Sequence, residues 1–455
     1  MFGKWHLGGN LPTKNGYINY RVKVGEEKIY PDVNISGVLS DVKYDWSQPL
    51  QDGPQDIGFD HSYITPAGIQ KPPYAFYRNG YLDTELSDVV FWEEGEYNMP
   101  RGTSIILSKK GNGGAAGEGS KDWDSTAYNQ ILVNETVAFL DDHMKIHGPH
   151  EPFFVYVALG GVHAPHSPPD EYYAKGEPPK PVAGEYPNNH LSLLHEMDMV
   201  VGSLVNAIEK RKEIVDDTVI VFTSDNGGLG KVWTNSSEYN HMTNGPLLRG
   251  TKGAIYEGGH RIPMIMRYDK RMPANETRSH LVGLNDIYAT FLDMARIKKP
   301  RWSAQDSVSF ANYAEKGEDK GLREYLAVFK IKLGSYDGNL FSLRKGNLKL
   351  IQKFNNPDPI ELYDLDKDLS ETTNIAALPE YQKVIKQMMW KLNKLGPCPN
   401  DTKGKFKLWS DKIKRKYVTC EWFSKKLARC DRHPVGEIHC NSICGRHYKY
   451  LDICS

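Results

Sequence analysis

The stretch TVIVFTSDNGG, residues 218–228, runs from an apolar segment typical of a β-strand into an Asp-Asn pair and two glycines. A similar order occurs earlier, where the apolar FFVYVAL at 153–159 leads to Gly-Gly and His163. Residues 125–147 and 191–208, which precede these two segments, carry apolar side chains near helical spacing. Strands that alternate with crossover helices predict an α/β fold, a mostly parallel sheet with helices on both faces.

Three regions of different character follow one another along the chain. The alternating pattern lies within residues 1–305, which we predict to form the main domain. Residues 306–396 contain short apolar segments typical of antiparallel strands and a helical stretch, which predicts a small C-terminal antiparallel sheet plus helix. Residues 397–455 hold every cysteine of the chain and form the third predicted domain, a disulfide-rich basic tail.

The overall composition is that of an ordinary soluble globular protein, with 39% hydrophobic and 25% charged residues among 455. Lys plus Arg and Asp plus Glu both number 57, so net charge points to neither a nucleic acid nor a membrane surface as partner. The longest apolar run, at 152–162, is too short to cross a bilayer. We therefore predict no membrane span.

The cysteines are confined to the end of the chain, at Cys398, Cys420, Cys430, Cys440, Cys444 and Cys454. An even number in a short terminal module predicts a disulfide framework. Zinc held by Cys440 and Cys444 with His439 or His447, or six free thiols, are the alternatives.

Five N-x-S/T sequons support export of the chain, at Asn34, Asn134, Asn235, Asn275 and Asn400. With the disulfide pattern they predict a secreted glycoprotein, located outside the cell or in the secretory pathway. Residues 1–9 lack the charged and apolar regions of a signal peptide, so we expect that the leader is missing from this sequence.

Polar side chains suited to anion chemistry stand at predicted strand ends and in loops, at Lys4, His6, His163, Asp225, Asn226 and Lys252. Lysines can hold the oxygens of a tetrahedral anion, and histidines can bond them or carry protons. Each of these residues alone is more often structural. Their common position after strands makes a shared site the stronger hypothesis, because ligand sites in such sheets collect at the carboxyl ends of strands.

Asp225 and Asn226 offer two hard oxygen ligands of the kind that Ca²⁺ or Mg²⁺ takes. The two glycines that follow would let backbone approach closely. The alternative is a simple turn, since Asp, Asn and Gly all favour turns.

Four motifs in order resemble the sulfatase family of the alkaline-phosphatase-like superfamily: GKWHLG at 3–8, VHAP at 162–165, FTSDNGG at 222–228 and PLLRGTKGAIYEGGHR at 246–261. The resemblance runs from residue 1 to about residue 395. It implies that Lys4 and His6 contact the sulfate and the nucleophile, and that His163 and Lys252 hold sulfate and leaving-group oxygens. It implies further that Asp225 and Asn226 bind one divalent cation, usually Ca²⁺.

The sequence departs from the family pattern at the nucleophile. In the family this is a hydrated formylglycine made from the Cys or Ser of a C/S-x-P/A-x-R motif, and none of the 455 residues forms that motif. The paired aspartates that complete the family's metal site are missing too. We expect that Met1 is an internal methionine, that an N-terminal segment carrying both features is lost, and that the chain as given is inactive.

The function predicted first is hydrolysis of a sulfate ester, on a sulfated small molecule or polysaccharide. A second hypothesis is a non-catalytic secreted protein that binds sulfated polysaccharide. The basic tail supports it, since residues 399–455 hold 13 Lys and Arg against 6 Asp and Glu, although the tail could equally be a stabilising appendage. A phosphate-ester hydrolase of the same superfamily ranks third. The first hypothesis predicts that the six candidate residues converge on one cleft.

Overall fold

The computed structural model describes residues 1–5, 10–13, 16–19, 44–93, 116–175, 177–229, 247–300, 303–330, 340–353, 356–395, 406–410 and 413–418. The chain divides into two compact units, which are described separately. Unit 1 comprises residues 1–224, 229–239 and 263–274, and unit 2 comprises residues 225–228, 240–262 and 275–455.

Unit 1 contains the strands β1 Phe2–Lys4, β2 Asn10–Thr13, β3 Gly16–Asn19, β4 Tyr63–Thr65, β5 Tyr77–Arg78, β6 Tyr81–Leu82, β7 Val89–Trp92, β8 Gly117–Ser120, β9 Val157–Ala158, β10 Glu171–Tyr172, β11 Lys180–Pro181, β12 Ile220–Thr223 and β13 Met264–Arg267. Its helices are α1 Tyr128–Ile146 and α2 Asn189–Glu209. Short 3-10 turns cover Pro54–Ile57, Leu86–Asp88 and Val215–Asp217.

The central sheet of unit 1 has five strands in the order β6-β5-β4-β1-β9. β1 runs parallel to both β4 and β9, whereas β4, β5 and β6 pair antiparallel. The antiparallel arm follows from the two-residue turn Asn79-Gly80, where both residues have positive φ angles, of 51° and 87°. Asn-Gly is the preferred pair for such a hairpin turn. The sheet is therefore mixed, with parallel pairing on the β4-β1-β9 side and antiparallel pairing on the other.

Close backbone contact fixes β1 against β9. Gly3 has a φ of 100°, and a Cβ added to it would overlap the carbonyl oxygen of Ala158. Both conditions require glycine at this position. Of the predicted strand 153–159, only β9 is paired, and the side chains of Phe154 and Tyr156 are 61% and 49% exposed.

Helix α1 covers one face of this sheet, where its Tyr128 and Leu132 pack with Phe2 of β1. Helix α2 packs in turn beside α1, with Met197 and Val200 buried in one cluster with Val133. By length and apolar composition alone α2 could also cross a membrane. The core helix of a soluble protein meets the same criteria, and 39% of the apolar stretch of α2 is buried within the protein.

Unit 2 contains a four-stranded antiparallel sheet, β14 Tyr325–Lys330, β15 Leu340–Lys345, β16 Leu348–Lys353 and β17 Asn356–Asp364, in that order. Its helices are α3 Glu257–His260, α4 Ile287–Met294, α5 Ala311–Lys316 and α6 Gln382–Leu395, with 3-10 turns at Leu284–Asp286 and Pro379–Tyr381. Ile385 and Met388 of α6 pack on Leu343 and Leu350 of the sheet. The predicted small antiparallel sheet and its helix are thus present.

The tail is described only as one hairpin, β18 Phe406–Ser410 paired with β19 Ile413–Val418. All six cysteines lie outside the described residues, so the disulfide framework stays a prediction. The predicted domain boundaries at residues 305 and 396 also stay predictions.

Candidate functional site

Lys4 is the last residue of β1, at the carboxyl end of a strand that lies between β4 and β9. Its half-buried side chain passes beside Gly68, where an added Cβ would lie 3.0 Å from the Lys4 Cδ atom. Thr65 stands opposite Lys4 in the parallel register of β1 and β4. His6 lies outside the described residues.

His163 follows β9, the parallel neighbour of β1, so it leaves the sheet at the same edge as Lys4. Its backbone N–H donates to the carbonyl of Gly160 at 3.0 Å, which closes a tight turn. Its ring Nδ1 lies 2.7 Å from the carbonyl oxygen of Ala164. A carbonyl can only accept, so Nδ1 carries the proton, and Nε2 holds the lone pair when the ring is neutral.

Two further histidines accompany His163, and the sequence reasoning did not single them out. His190 Nδ1 lies 3.3 Å from His166 Nε2. Burial, with smaller contributions from His190 and His163, lowers the pKa of His166 to about 4. Burial also lowers the pKa of His190. Both rings are therefore neutral at pH 7, and the spacing His-x-x-His at 163–166 was the available signal.

The Asp-Asn-Gly-Gly segment and the Lys252 segment meet within unit 2. Gly227 N–H donates to the Gly259 carbonyl at 2.9 Å, and Lys252 N–H donates to the Gly228 carbonyl at 2.8 Å. A Cβ on Gly227 would overlap the carbonyl oxygen of Gly258, so the close approach expected from the sequence is present. The side chains of Asp225 and Lys252 are both exposed. These backbone contacts bring together the chain segments that carry Asp225, Asn226 and Lys252.

A buried ion cluster supports the segment that follows Lys252. Lys349, which is 1% exposed, contacts Glu257 of α3 at 2.9 Å and Glu371 at 2.8 Å. Arg261 adds a contact to Glu257 at 3.1 Å. Burial alone would raise the pKa of Glu257, but the nearby cations, Lys349 foremost, lower it to about 2. Burial raises the pKa of Glu371. Buried ion pairs therefore hold Glu257, the residue that precedes Gly258 and Gly259, in place.

The fit of a divalent cation to this segment is incomplete. Asn226 donates from its side-chain Nδ2 to the Gly227 carbonyl at 3.0 Å, and Asp225 contributes one carboxylate. Across the described ranges, no group of three or more His, Cys, Asp or Glu side chains could hold a metal ion. Two oxygen ligands fall short of the six to eight that Ca²⁺ takes. The predicted Ca²⁺ or Mg²⁺ site, and the convergence of all six residues on one cleft, stay predictions.

Two family models match this chain. The Sulfatase model matches residues 34–297, more than half of the chain. The model for the C-terminal region of N-sulphoglucosamine sulphohydrolase matches residues 251–397. The two matches together span the three later motifs and the small antiparallel sheet.

Curated relatives carry sulfatase names. An N-acetylgalactosamine-6-O-sulfatase of Bacteroides thetaiotaomicron is 25% identical over 423 residues, covering 85% of this chain and 72% of the relative. An N-acetylgalactosamine-6-sulfatase of Sus scrofa is 30% identical over 179 residues, covering 39% of this chain and 31% of the relative. The chain thus spans much of the first relative and under a third of the second.

Solved structures show the same fold. A protein of Bacteroides thetaiotaomicron, from a genetic locus for the metabolism of multiple glycosaminoglycans, matches with a TM-score of 0.61 at 23% identity, over 86% of this chain and 78% of that one. A sulfatase of Pseudoalteromonas sp. matches with a TM-score of 0.50 at 19% identity, over 76% and 68%. At these identities the likeness concerns the fold alone. It confirms the predicted α/β class of alkaline-phosphatase-like type.

Proposed function

The chain belongs to the sulfatase family, a family of sulfuric ester hydrolases, and on that premise we propose that its site binds the sulfate ester of a carbohydrate. The names of the relatives, which specify 6-sulfated N-acetylgalactosamine, support a sulfated sugar as the ligand. The observation that carries the proposal is the junction in unit 2, where Lys252 N–H and Gly227 N–H bind backbone carbonyls of the facing segment. That junction joins the backbone of Lys252, whose side chain is exposed, to the Asp-Asn-Gly-Gly segment.

Each residue in the proposed site has a task that its chemistry allows. In unit 2, Lys252 places an ammonium group against sulfate oxygens, where fixed positive charge stabilises an oxyanion, and Lys4 of unit 1 has the same chemistry. His163 takes a proton at Nε2, because Nδ1–H is already committed to the Ala164 carbonyl. A ring protonated at Nε2 donates to a sulfate or ester oxygen. His6 would belong to the same set by its place in the motif.

The proposal covers binding and not hydrolysis, because the sequence lacks the nucleophile motif and the described residues offer a metal too few ligands. Formylglycine supplies the nucleophile in the family, and its motif does not occur among the 455 residues. Ca²⁺ or Mg²⁺ at Asp225 and Asn226 would supply positive charge, but the described residues offer it too few ligands. We therefore derive no hydrolytic step through either group, and we expect the 455-residue chain to bind a sulfate ester without turnover.

The basic tail favours the second candidate, a non-catalytic protein that binds sulfated polysaccharide, since residues 399–455 hold 13 Lys and Arg against 6 Asp and Glu. Such a protein would use the same lysines and histidine. A phosphate-ester hydrolase would need a two-metal set of His and Asp side chains, and the described ranges contain no such group.

Titration calorimetry on the 455-residue chain tests the proposal with N-acetylgalactosamine 6-sulfate and its unsulfated counterpart. We expect heat only with the sulfated sugar, and we expect Lys252→Ala to remove it. Lys367→Ala is the matched control, since it removes another exposed lysine of unit 2. Equal binding of both sugars would overturn the sulfate site. Turnover of an aryl sulfate by this chain would contradict the expectation that it binds a sulfate ester without hydrolysing it.

We propose further that the protein is secreted and glycosylated. Asn134 and Asn275, two of the five sequon asparagines, have exposed side chains. Expression through a secretory pathway should give a chain whose mass falls on glycosidase treatment. Non-reducing peptide mapping should find all six cysteines paired, and free thiols would overturn the disulfide part of the proposal.

A further inference from the structure

The two glycines before His163 are held by a side chain from helix α1. Asn129, which is 4% exposed, accepts at its Oδ1 from the backbone N–H of Gly160 at 3.0 Å. The same oxygen lies 3.4 Å from the N–H of Gly161. One amide oxygen therefore satisfies two successive peptide groups, and the orientation of those peptides sets where His163 begins.

Asn129 is itself held by a carboxyl group from helix α2. Its Nδ2 donates to Glu196 Oε2 at 3.2 Å, and Glu196 is completely buried. The second carboxyl oxygen, Oε1, is buried and has no hydrogen-bond partner among the described residues. A buried carboxyl group with an unsatisfied oxygen lowers stability, so its presence needs another reason.

The surrounding packing leaves no room for a side chain at either glycine. A Cβ on Gly160 would lie 2.8 Å from the Tyr128 ring, and a Cβ on Gly161 would overlap the sulfur of Met197. The Tyr128 hydroxyl is hydrogen-bonded to Thr65 Oγ1 at 2.8 Å. Thr65 is the register partner of Lys4, so the same helix that holds the His163 turn also contacts the strand beside Lys4.

We propose that Asn129 and Glu196 are positioning residues for His163, acting through the peptide groups of Gly160 and Gly161. Neither belongs to the proposed sulfate-binding residues. Glu196 orients the Asn129 amide so that its oxygen, and not its nitrogen, faces the two glycine N–H groups. This inference rests on the proposed function, since the position of His163 matters only if the ring meets the ligand.

The test uses the 455-residue chain with ¹⁵N-labelled histidine, and reads the ring tautomer of His163 at a pH where the ring is neutral. The signal is assigned by its loss in His163→Gln. In the unchanged chain we expect a single tautomer with the proton on Nδ1. Asn129→Leu removes the acceptor for both glycine N–H groups, and we expect a mixture of tautomers. Glu196→Gln keeps an oxygen for Asn129, and we expect the single tautomer to persist.

Two further variants keep the outcome decisive. Asn129→Ser has a hydroxyl too short to reach both amides, and it replaces Asn129→Leu if the latter does not fold. Ser192→Ala is the control, because Ser192 is equally buried on α2 and its hydroxyl has no partner among the described residues. An unchanged His163 signal in Asn129→Leu or Asn129→Ser, with only a lower melting temperature, would show a merely structural role and overturn the proposal.

Binding of inorganic sulfate separates this inference from the proposed function. We expect Asn129→Leu to weaken it by about tenfold or more, since small misplacements of a contact group have effects of that size. If the unchanged chain binds no sulfate, the proposed function fails, while the tautomer measurement still decides the positioning role. A tautomer change without any change in sulfate affinity would place His163 outside the site and overturn this inference.

Discussion

Two Gly-Gly pairs, one that precedes His163 and one that contacts Gly227 of the Asp-Asn-Gly-Gly segment, are held by different interactions. In unit 1, Gly160 and Gly161 bind the neutral amide of Asn129, which is backed by the buried carboxyl of Glu196. In unit 2, Gly258 and Gly259 follow Glu257, which is clamped by the buried ammonium of Lys349. The first, the neutral support, depends on hydrogen bonds between uncharged groups. The second, the ionic support, depends on paired charges.

The difference matters because the two supports fail under different conditions. A buried charge that loses its partner keeps its full desolvation cost, so an ionic support is lost sharply when one member is removed. Burying a neutral carboxyl group costs less free energy than burying a charge, but the group is neutral only while it stays protonated. The ionic support should therefore be sensitive to substitution, and the neutral support to pH.

The largest effect is expected at the ionic support. Lys349→Met removes a cation that contacts both Glu257 and Glu371, and it leaves the buried Glu371 without that partner. We expect the free energy of unfolding to fall by about 3–5 kcal/mol. Urea denaturation measures it. Lys345→Met, which removes the ion pair to the exposed Glu324, is the control and should cost about 0–1 kcal/mol. Equal losses would contradict the comparison.

The neutral support predicts a pH effect of intermediate size. Burial raises the pKa of Glu196 from 4.5 to about 8, and the hydrogen bond from Asn129 opposes the shift only in part. The folded chain thus holds this proton more tightly than the unfolded chain. Its contribution to stability is complete below about pH 4.5 and is lost as the pH rises toward 8, by about 1.4 kcal/mol per unit.

Glu196→Gln has no proton to lose and should lack this slope. Between pH 5 and pH 7, the free energy of unfolding of the unchanged chain should fall by about 2–3 kcal/mol more than that of Glu196→Gln. Denaturation curves at both pH values, for both chains, give the difference, and the other titrating groups cancel. Parallel pH profiles would show that Glu196 is already ionised in the folded protein.

Backbone approach gives the next effect, in the glycine pair of unit 2. Gly227→Ala places a Cβ against the carbonyl of Gly258, and backbone atoms cannot move aside as a flexible side chain can. We expect a loss of about 1–3 kcal/mol. Gly202→Ala is the matched control, since Gly202 lies in α2 with open space around it, and it should gain about 0.5–1 kcal/mol. Thermal unfolding of the two variants should move in opposite directions.

The parts of the fold and site that the sequence predicted are those with local signals. The strand before Asp225, the helices around residues 125–147 and 191–208, and the small antiparallel sheet all follow from apolar periodicity and turn residues. The contact between the Asp-Asn-Gly-Gly segment and backbone was predictable too, because only glycine allows it.

The supports could not be predicted, because their partners are distant in sequence. Lys349 lies in a strand where a lysine would ordinarily face solvent, yet it meets Glu257, which is 92 residues away. Asn129 and Glu196 are 67 residues apart, on two different helices. The antiparallel arm of the central sheet was not predicted, although Asn79-Gly80, the turn between β5 and β6, is a local hairpin signal.

The smallest effect is expected from calcium. Asn226 donates its amide hydrogens to the Gly227 carbonyl, and Asp225 is exposed, so the pair presents few oxygens to a cation. A dissociation constant at or above 1 mM follows for a site with about two of six ligands, and 1 mM Ca²⁺ then adds at most about 0.4 kcal/mol to the free energy of unfolding. Denaturation with Ca²⁺ or with a chelator, on the unchanged chain and on Asp225→Ala, measures it. A gain of about 2.7 kcal/mol that Asp225→Ala abolishes would mean tight binding. Calcium would then join the ions that hold unit 2, and the contrast with the neutral support of unit 1 would widen.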